Sequence, residues 1–503
     1  MLTRQPNKAR IKVTRQRPDR CGRRALAQAI FTLSLCALWA CATAPPGTER
    51  HAGVGAEVSE PALAAPPSRL GGETTVDVTN KHAFGRSLAN LPVAQLRTFA
   101  YGNRLFNTTW VTAPASVEDF DGLGPLFNRS SCVGCHVRDG RGRAPEPGEA
   151  RLTSSLVRIS AEGTGPYGGP KPHPVYGGQL QDKATAPHAA EGRVVITYSD
   201  HPVRYPDGTE RTLRRPTMTV TNFGDGAPEP PLQTSFRVAS AVHGLGLLEA
   251  VPEEAILAWS DPQDRDSDGI SGRPNRVWDR AAGALALGRF GWKAGQPNLT
   301  QQSAAAFAGD VGITSSLVPQ DDRTTAQRAR LPGPDGGSPE LRDSDLTGLV
   351  FYLRALAVPA ARTTGEGVDS GVIARGFHHF QEVGCVGCHR STLETASDVA
   401  LPSLAQQTIH PFTDLLLHDM GEGLADDRAE FAANGREWRT PPLWGLGLIE
   451  VVNGHTHLLH DGRARDVEEA ILWHGGEAQR SRDRFMALPK GEREALMVFL
   501  MSL

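Results

Sequence analysis

Apolar residues recur at helical spacing through 342–357: Leu346, Leu349, Val350, Leu353 and Leu356 share one face. The pattern predicts an amphipathic helix, and residues 490–502 repeat it at the end of the chain. Residues 87–107 and 115–130 also read as helical, and 371–383 lead into the second of two cysteine-containing loops. Residues 137–236 break the pattern and read as a long insertion. Its best strand candidate is Val194-Val195-Ile196-Thr197-Tyr198, set among Pro- and Gly-rich connectors. Short patterns recur in both halves. Gly244-Leu245-Gly246-Leu247-Leu248-Glu249 echoes Gly445-Leu446-Gly447-Leu448-Ile449-Glu450, and Glu253-Glu254-Ala255-Ile256-Leu257 echoes Glu468-Glu469-Ala470-Ile471-Leu472. Each set follows an arginine, Arg237 or Arg439, so the two halves read as a duplication.

Each half also carries one C-x-x-C-H: Cys132-Val133-Gly134-Cys135-His136 and Cys385-Val386-Gly387-Cys388-His389. Two thiols on one turn with a histidine directly behind them is the spacing of c-type haem attachment. The thiols add to the ring's vinyl groups and His136 or His389 becomes the proximal iron ligand. A zinc site does not need the trailing histidine, and a redox C-x-x-C pair has no use for it. Two c-type haems are therefore expected. The fold class expected is mainly α: two cytochrome c-like haem domains in tandem, with a loop-rich insertion carrying a few short strands. The boundaries read as 80–357, including the insertion 137–236 and an Asp-rich loop 264–272, then 358–503.

The amino terminus changes the picture of compartment. Residues 1–24 hold nine Lys/Arg and one acid, and residues 25–40 are mostly apolar and uncharged. That is a signal-peptide pattern, too short to span a bilayer comfortably. Leu38-Trp39-Ala40-Cys41 resembles a lipobox, which makes Cys41 the lipidation candidate and residues 41–79 a lipid-anchored flexible tether; ordinary cleavage near Ala42 or Ala44 is the alternative. The expected location is the periplasmic side of a bacterial envelope, with the membrane met only through that anchor. The whole chain is formally −3, but without residues 1–40 it has 44 Lys/Arg against 55 Asp/Glu. An acidic body argues against nucleic acid and suits a basic redox partner. With 54 Gly, 37 Pro and 6% aromatics, short helices joined by long loops are expected around a large prosthetic group.

Three stretches carry a family resemblance: Phe127-Asn128-Arg129-Ser130-Ser131-Cys132 through Gly142, Asp266-Ser267-Asp268-Gly269-Ile270-Ser271-Gly272, and Phe290-Gly291-Trp292-Lys293-Ala294. They resemble the bacterial di-haem thiol-oxidoreductase-like family, described as di-haem peroxidases. The C-terminal half also resembles di-haem cytochrome c peroxidases and their methylamine-utilisation relatives. The matching segments are Phe412 to Gly421, Arg439-Thr440-Pro441, and Leu459-His460-Asp461-Gly462. That resemblance implies a distal ligand for the second haem on the helix after the Asp-Gly segment, where this chain has His474. Met420, His410, His418, His455, His457 and His460 are the other candidates.

For the first haem, His173, His188, His201 and His243 lie downstream of His136, and none has a decisive context. The stretch Tyr176-Gly177-Gly178-Gln179-Leu180 could cover its distal face, which makes Tyr176 and Gln179 catalytic candidates. Arg138, with Asp139 and Arg141, could move a proton or pair with haem propionates. Asp264, Asp266 and Asp268 alternate before Gly269 and make a candidate Ca²⁺ loop, although the position that would hold Glu in an EF-hand is Asn275. The function expected is a periplasmic di-haem oxidoreductase, peroxidase-like, taking electrons from a small redox protein or other donor and passing them to hydrogen peroxide. The alternative is a non-catalytic electron-transfer lipoprotein.

Overall fold

The computed structural model describes residues 64–503, apart from 150, 333–335 and 366. The signal segment, Cys41 and most of the tether lie outside the described residues. The end of the expected tether is packed: Leu70 is fully buried, Thr74 and Thr75 are buried, and Val76 pairs with Pro359.

Two helix pairs frame the molecule. The first is α1 (Leu96–Asn107) with α3 (Asp343–Arg354); α2 (Leu299–Ala306) lies between them in sequence and packs on α3. The second pair is α4 (Ser370–Glu382) with α6 (Lys490–Ser502), and α5 (Val467–Leu472) packs on α6. Both crossings depend on glycine. A Cβ on Gly102 would sit 2.2 Å from the Gly348 carbonyl oxygen, and one on Gly376 would sit 1.9 Å from that of Ala495. Either substitution would force the helices apart. The helices that close each half, expected from 3.6-residue periodicity at 342–357 and 490–502, are present as α3 and α6.

The chain is not mainly α. It is 30% helix and 19% strand, with several small sheets. The physical reason lies in the insertion. Strand β1 (Ser155–Thr164) pairs antiparallel with β4 (Gln233–Val238), while β2 (Arg193–Arg204) and β3 (Glu210–Thr221) form a long two-stranded ribbon. The β-branched residues of β2 and β3 favour extended backbone. Register runs unbroken from Arg193–Thr221 to Arg204–Glu210, closed by a turn in which Gly208 has φ +85°. Residues 115–130, expected as a helix, hold only a short 3₁₀ turn at Glu118–Phe120 and the strand Leu126–Phe127, paired with Lys183–Ala184.

Contacts cross the 357/358 boundary repeatedly. The two Gly-Leu-Gly-Leu repeats meet where His243 Nε2 donates to the Trp444 carbonyl at 3.3 Å. Arg138 donates to the Val452 carbonyl at 2.7 Å.

Candidate functional site

One cavity of about 680 Å³ is lined by both cysteine–histidine motifs, Cys132, Cys135 and His136 and Cys385, Cys388 and His389. The four cysteines are free of disulfides. Burial pushes the thiols of Cys132, Cys135 and Cys385 up to about 12. A reactive C-x-x-C pair needs the opposite shift, so a thiol-redox role is disfavoured. Among the described residues, the only three ligating side chains that converge on a point are Asp264, Asp266 and Asp268. The motifs therefore do not gather around a zinc-sized centre, which fits sulfurs spread along the edge of a ring.

Three histidines on this cavity share one arrangement. His136 Nδ1 donates to the Ser240 carbonyl at 2.7 Å, His389 Nδ1 to that of Phe412 at 2.8 Å, and His474 Nδ1 to that of Ala470 at 2.6 Å. A carbonyl only accepts, so Nδ1 carries the proton and Nε2 keeps the lone pair that an iron would take. Burial lowers all three below the ordinary histidine value, and His389 falls to about 4, with His474 adding to the effect. Neutral imidazole is the ligating form.

Helices α2 and α5 are counterparts. Asn298 caps α2 by accepting from Gln301 N, and Asp466 caps α5 by accepting from Glu469 N, both at 2.9 Å. One constant offset carries Asn298 onto Asp466 and then aligns every cavity-facing position. Leu299, Gln302, Ser303 and Ala306 line the cavity from α2, and Val467, Ala470, Ile471 and His474 from α5 and its end. His474 therefore corresponds to Ala306. The helix Glu253–Leu257, whose letters match Glu468–Leu472, is not the counterpart by this geometry.

Among the other candidates, His418 also lines the cavity. Its Nε2 meets Asp414 at 2.7 Å and its Nδ1 meets Glu477 at 2.7 Å, with Cys388 Sγ at 3.5 Å. Burial opposes the imidazolium, and the Asp414 carboxylate at 2.7 Å favours it. His460 stacks on Trp438 at 3.7 Å, His243 stacks on Phe84 at 4.0 Å, and His173 is bonded to the Pro230 carbonyl. Met420 reaches the cavity.

The structure does not bring Tyr176 to the cavity. Its ring is buried in a separate cluster with Val157, Ile159 and Leu180, and its hydroxyl donates to the Gly226 carbonyl. Gln179 sits one step behind the wall, where its Nε2 donates to Asp310 at 2.8 Å and to the Gly309 carbonyl at 3.1 Å. Asp310 itself lines the cavity, on a π-helical turn, Phe307–Val311. Arg138 is exposed and ties the first motif to Val452. Asp139 is buried, accepts from the Tyr352 hydroxyl at 2.6 Å and is pushed up to about 6 by that burial.

Sequence reading missed Gln302, Ser303, Asp310 and Asp322. The cap Asn298 followed by a helical face was the signal available for the first two. Asp322 accepts from Gly178 N at 3.0 Å and Gln179 N at 2.8 Å, and burial raises it to about 7 against the opposing pull of Arg158. A carboxyl raised on folding loses stability as pH climbs from its unfolded value, 3.8, to about 7. Asp322→Asn keeps one oxygen for both backbone bonds and removes the titration. Its stability should fall less than that of the parent between those pH values, by up to about 4 kcal/mol. Chemical denaturation at each pH measures it, and parallel pH curves would refute the assignment.

Several buried polar atoms on the cavity wall have no partner: Arg129 Nη2, Arg141 Nε, Ser155 Oγ, Ser303 Oγ and Arg428 Nε. Buried groups of this kind ordinarily find partners. Haem propionates are carboxylates that would meet the arginines, so the wall fits the group. In the Asp-rich loop, the ligand oxygens of Asp264, Asp266 and Asp268 lie within 4.8 Å of one another. Asn275 is spent elsewhere, donating to the Lys293 and Glu430 carbonyls, so the loop is not an EF-hand. Ile270 and Ser271 reach the second motif's surroundings, facing Gly387 and bonding Glu477. Among the described residues, no helix is long and apolar enough to cross a membrane.

The chain matches the family described as "di-haem oxidoreductase, putative peroxidase" over residues 66–503. No curated protein matches it. A solved structure of hydrazine synthase from Kuenenia stuttgartiensis, pressurised with 20 bar xenon, is similar at 14% identity. That likeness covers 89% of this chain and 98% of the other with a TM-score of 0.33, too weak for anything to transfer.

Proposed function

Since the chain belongs to the di-haem oxidoreductase family, we propose that it is a periplasmic c-type enzyme that reduces a small oxidant, hydrogen peroxide, at its first haem and relays electrons through its second. Cys132 and Cys135 would hold one haem and Cys385 and Cys388 the other by thioether bonds, with His136 and His389 on the irons. Bound haem supplies a redox-active iron.

The contrast between α2 and α5 carries this reading. His474 offers a further nitrogen on the second half's helix, whereas Ala306 offers only a methyl group in the first. An oxidant needs an open position, and the first half supports one. Around Ala306, Gln302 and Ser303 provide hydrogen-bonding groups, and Asp310, steadied by Gln179, provides a carboxylate able to hold or move a proton. The arginines on the wall would pair with propionates. The Asp264–Asp266–Asp268 loop would take Ca²⁺, a hard cation suited to carboxylates, and would steady the wall behind Ile270. An acidic body favours a basic redox protein as donor, and Cys41 would carry the lipid anchor.

Co-expression with cytochrome-maturation machinery tests the reading. The purified chain should gain the mass of two haems, and the pair Cys385→Ala, Cys388→Ala should leave one. Half-reduced protein should show a high-spin ferric signal that changes with hydrogen peroxide. Two low-spin haems inert to peroxide would make the protein an electron carrier instead, and no added mass would remove the whole proposal.

A further inference from the structure

The ribbon β2–β3 belongs to the first half of the chain, yet its tip and one face grip α5 in the second half. Tyr205, at the turn, donates to Glu468 at 2.6 Å. Arg211 meets Glu468 at 3.2 Å and Glu469 at 3.6 Å, and it also pairs with Asp466, the residue that caps α5. Arg465, just before the cap, donates to the Thr212 carbonyl at 2.5 Å. The far end of the helix is held as well. Trp473 is buried and directly precedes His474; the His201 ring stacks on it at 5.3 Å and 18°, and the Arg215 guanidinium lies 5.6 Å from its centroid. Asp207 in the turn anchors the ribbon to α6 through Arg493 at 2.7 Å.

These contacts fix both the axial position of α5 and the rotation of its last turn. An isolated two-stranded ribbon is marginal in water, so this one depends on what it grips. At α2 the comparable grip is on the N-terminal turn, where Asn298 donates to Asp279 and Gln301 to the Trp278 carbonyl. That helix presents Ala306 and has no ligand to aim.

We propose that ribbon β2–β3 is a strap that positions His474, with Arg211 and Tyr205 as positioning residues that act through α5. The inference rests on the reading of His474 as an iron ligand. Its function is to keep a histidine at the end of a six-residue helix from swinging away, which makes the second haem's coordination depend on a segment more than 250 residues earlier in the chain.

The test uses the di-haem holoprotein and low-spin ferric resonance. His474→Ala identifies the second haem's low-spin signal by abolishing it. Arg211→Ala should then raise the high-spin fraction of that haem roughly tenfold, the population shift expected when a cluster of partly exposed ion pairs is lost. Arg211→Lys should restore most of the low-spin signal. Tyr205→Phe, which removes a single hydroxyl and is the safer variant for folding, should shift the same signal in the same direction. Haem content by mass and the melting temperature report whether the fold is intact. If His474→Ala leaves every low-spin signal in place, the ligand reading fails. If it abolishes one while folded Arg211→Ala and Tyr205→Phe retain the parent spectrum, the strap is overturned and the ligand reading stands.

Discussion

Ala306→His should cut peroxide turnover by more than about 100-fold, some 2.7 kcal/mol of barrier, while both haems stay attached. The expectation follows from the equivalence of α2 and α5. Both helices begin at a side-chain cap, and both turn residues one, four, five and eight of the helical register toward the same cavity. At the last of these positions the second half has an imidazole whose Nδ1 is committed to the carbonyl one turn back. Placing a histidine at 306 would offer the same group to the cavity from the first half. An open position would become occupied, and an incoming oxidant would have to displace a tethered ligand. Ala306→Leu is the control, because it fills similar space without a nitrogen. Both variants should lose turnover, but only the histidine variant should convert the first haem to a low-spin signal. Full activity in Ala306→His would show that α2 does not face the reacting iron.

Much of this arrangement was readable before any coordinates, and the division has physical causes. Covalent attachment fixes the spacing of Cys132, Cys135 and His136 so tightly that the motif survives as a string. The closing helices at Asp343–Arg354 and Lys490–Ser502 were legible because a buried stripe imposes a 3.6-residue period. Of the strands, only the alternating Val194–Tyr198, which lies within Arg193–Arg204, was legible. Pairs such as Leu126–Phe127 with Lys183–Ala184 are two residues long and held by contacts far apart in sequence, which no local pattern records. The repeat was legible as a repeat but misleading in register. Glu253–Leu257 shares letters with Glu468–Leu472, whereas Leu299–Ala306 shares its cap, its cavity face and its packing partner. A helix that serves a cavity is defined by its cap and by which side chains point inward, and both permit different letters. Tyr176 and Gln179 were near misses for a related reason. The stretch does approach the cavity, but through Gly178 and through Gln179's hold on Asp310.

The other large effect concerns stability. Lys293→Met should destabilise the fold by about 3–5 kcal/mol, measured as a lower denaturation midpoint at constant slope. Lys293 is fully buried, a position lysine almost never occupies unless paired. Its ammonium donates to Asp426 at 2.7 Å, to the Arg428 carbonyl at 2.9 Å and to the Asn434 carbonyl at 2.7 Å, which uses all three protons. The same group lies 4.5 Å from the centroid of the Trp438 ring, which adds a cation–π attraction in a dry setting. Methionine would match the length of the side chain and supply none of these partners. Two carbonyls would lose their donor, and Asp426, whose Oδ2 already has no partner, would be left as a buried carboxylate with only the Arg428 N–H at 3.0 Å and Arg237 at 3.9 Å to compensate it. The penalty is therefore mostly that of the abandoned groups. For that reason the double replacement Lys293→Met, Asp426→Leu should recover part of the loss, since removing both charges also removes the desolvation cost. The segment stitched down by Lys293 carries Arg428, Glu430 and Trp438, all on the cavity wall. Lower haem incorporation by mass or altered haem spectra should accompany the fall in stability in the single variant. If Lys293→Met unfolds at the parent midpoint, the ammonium is not what fastens this wall.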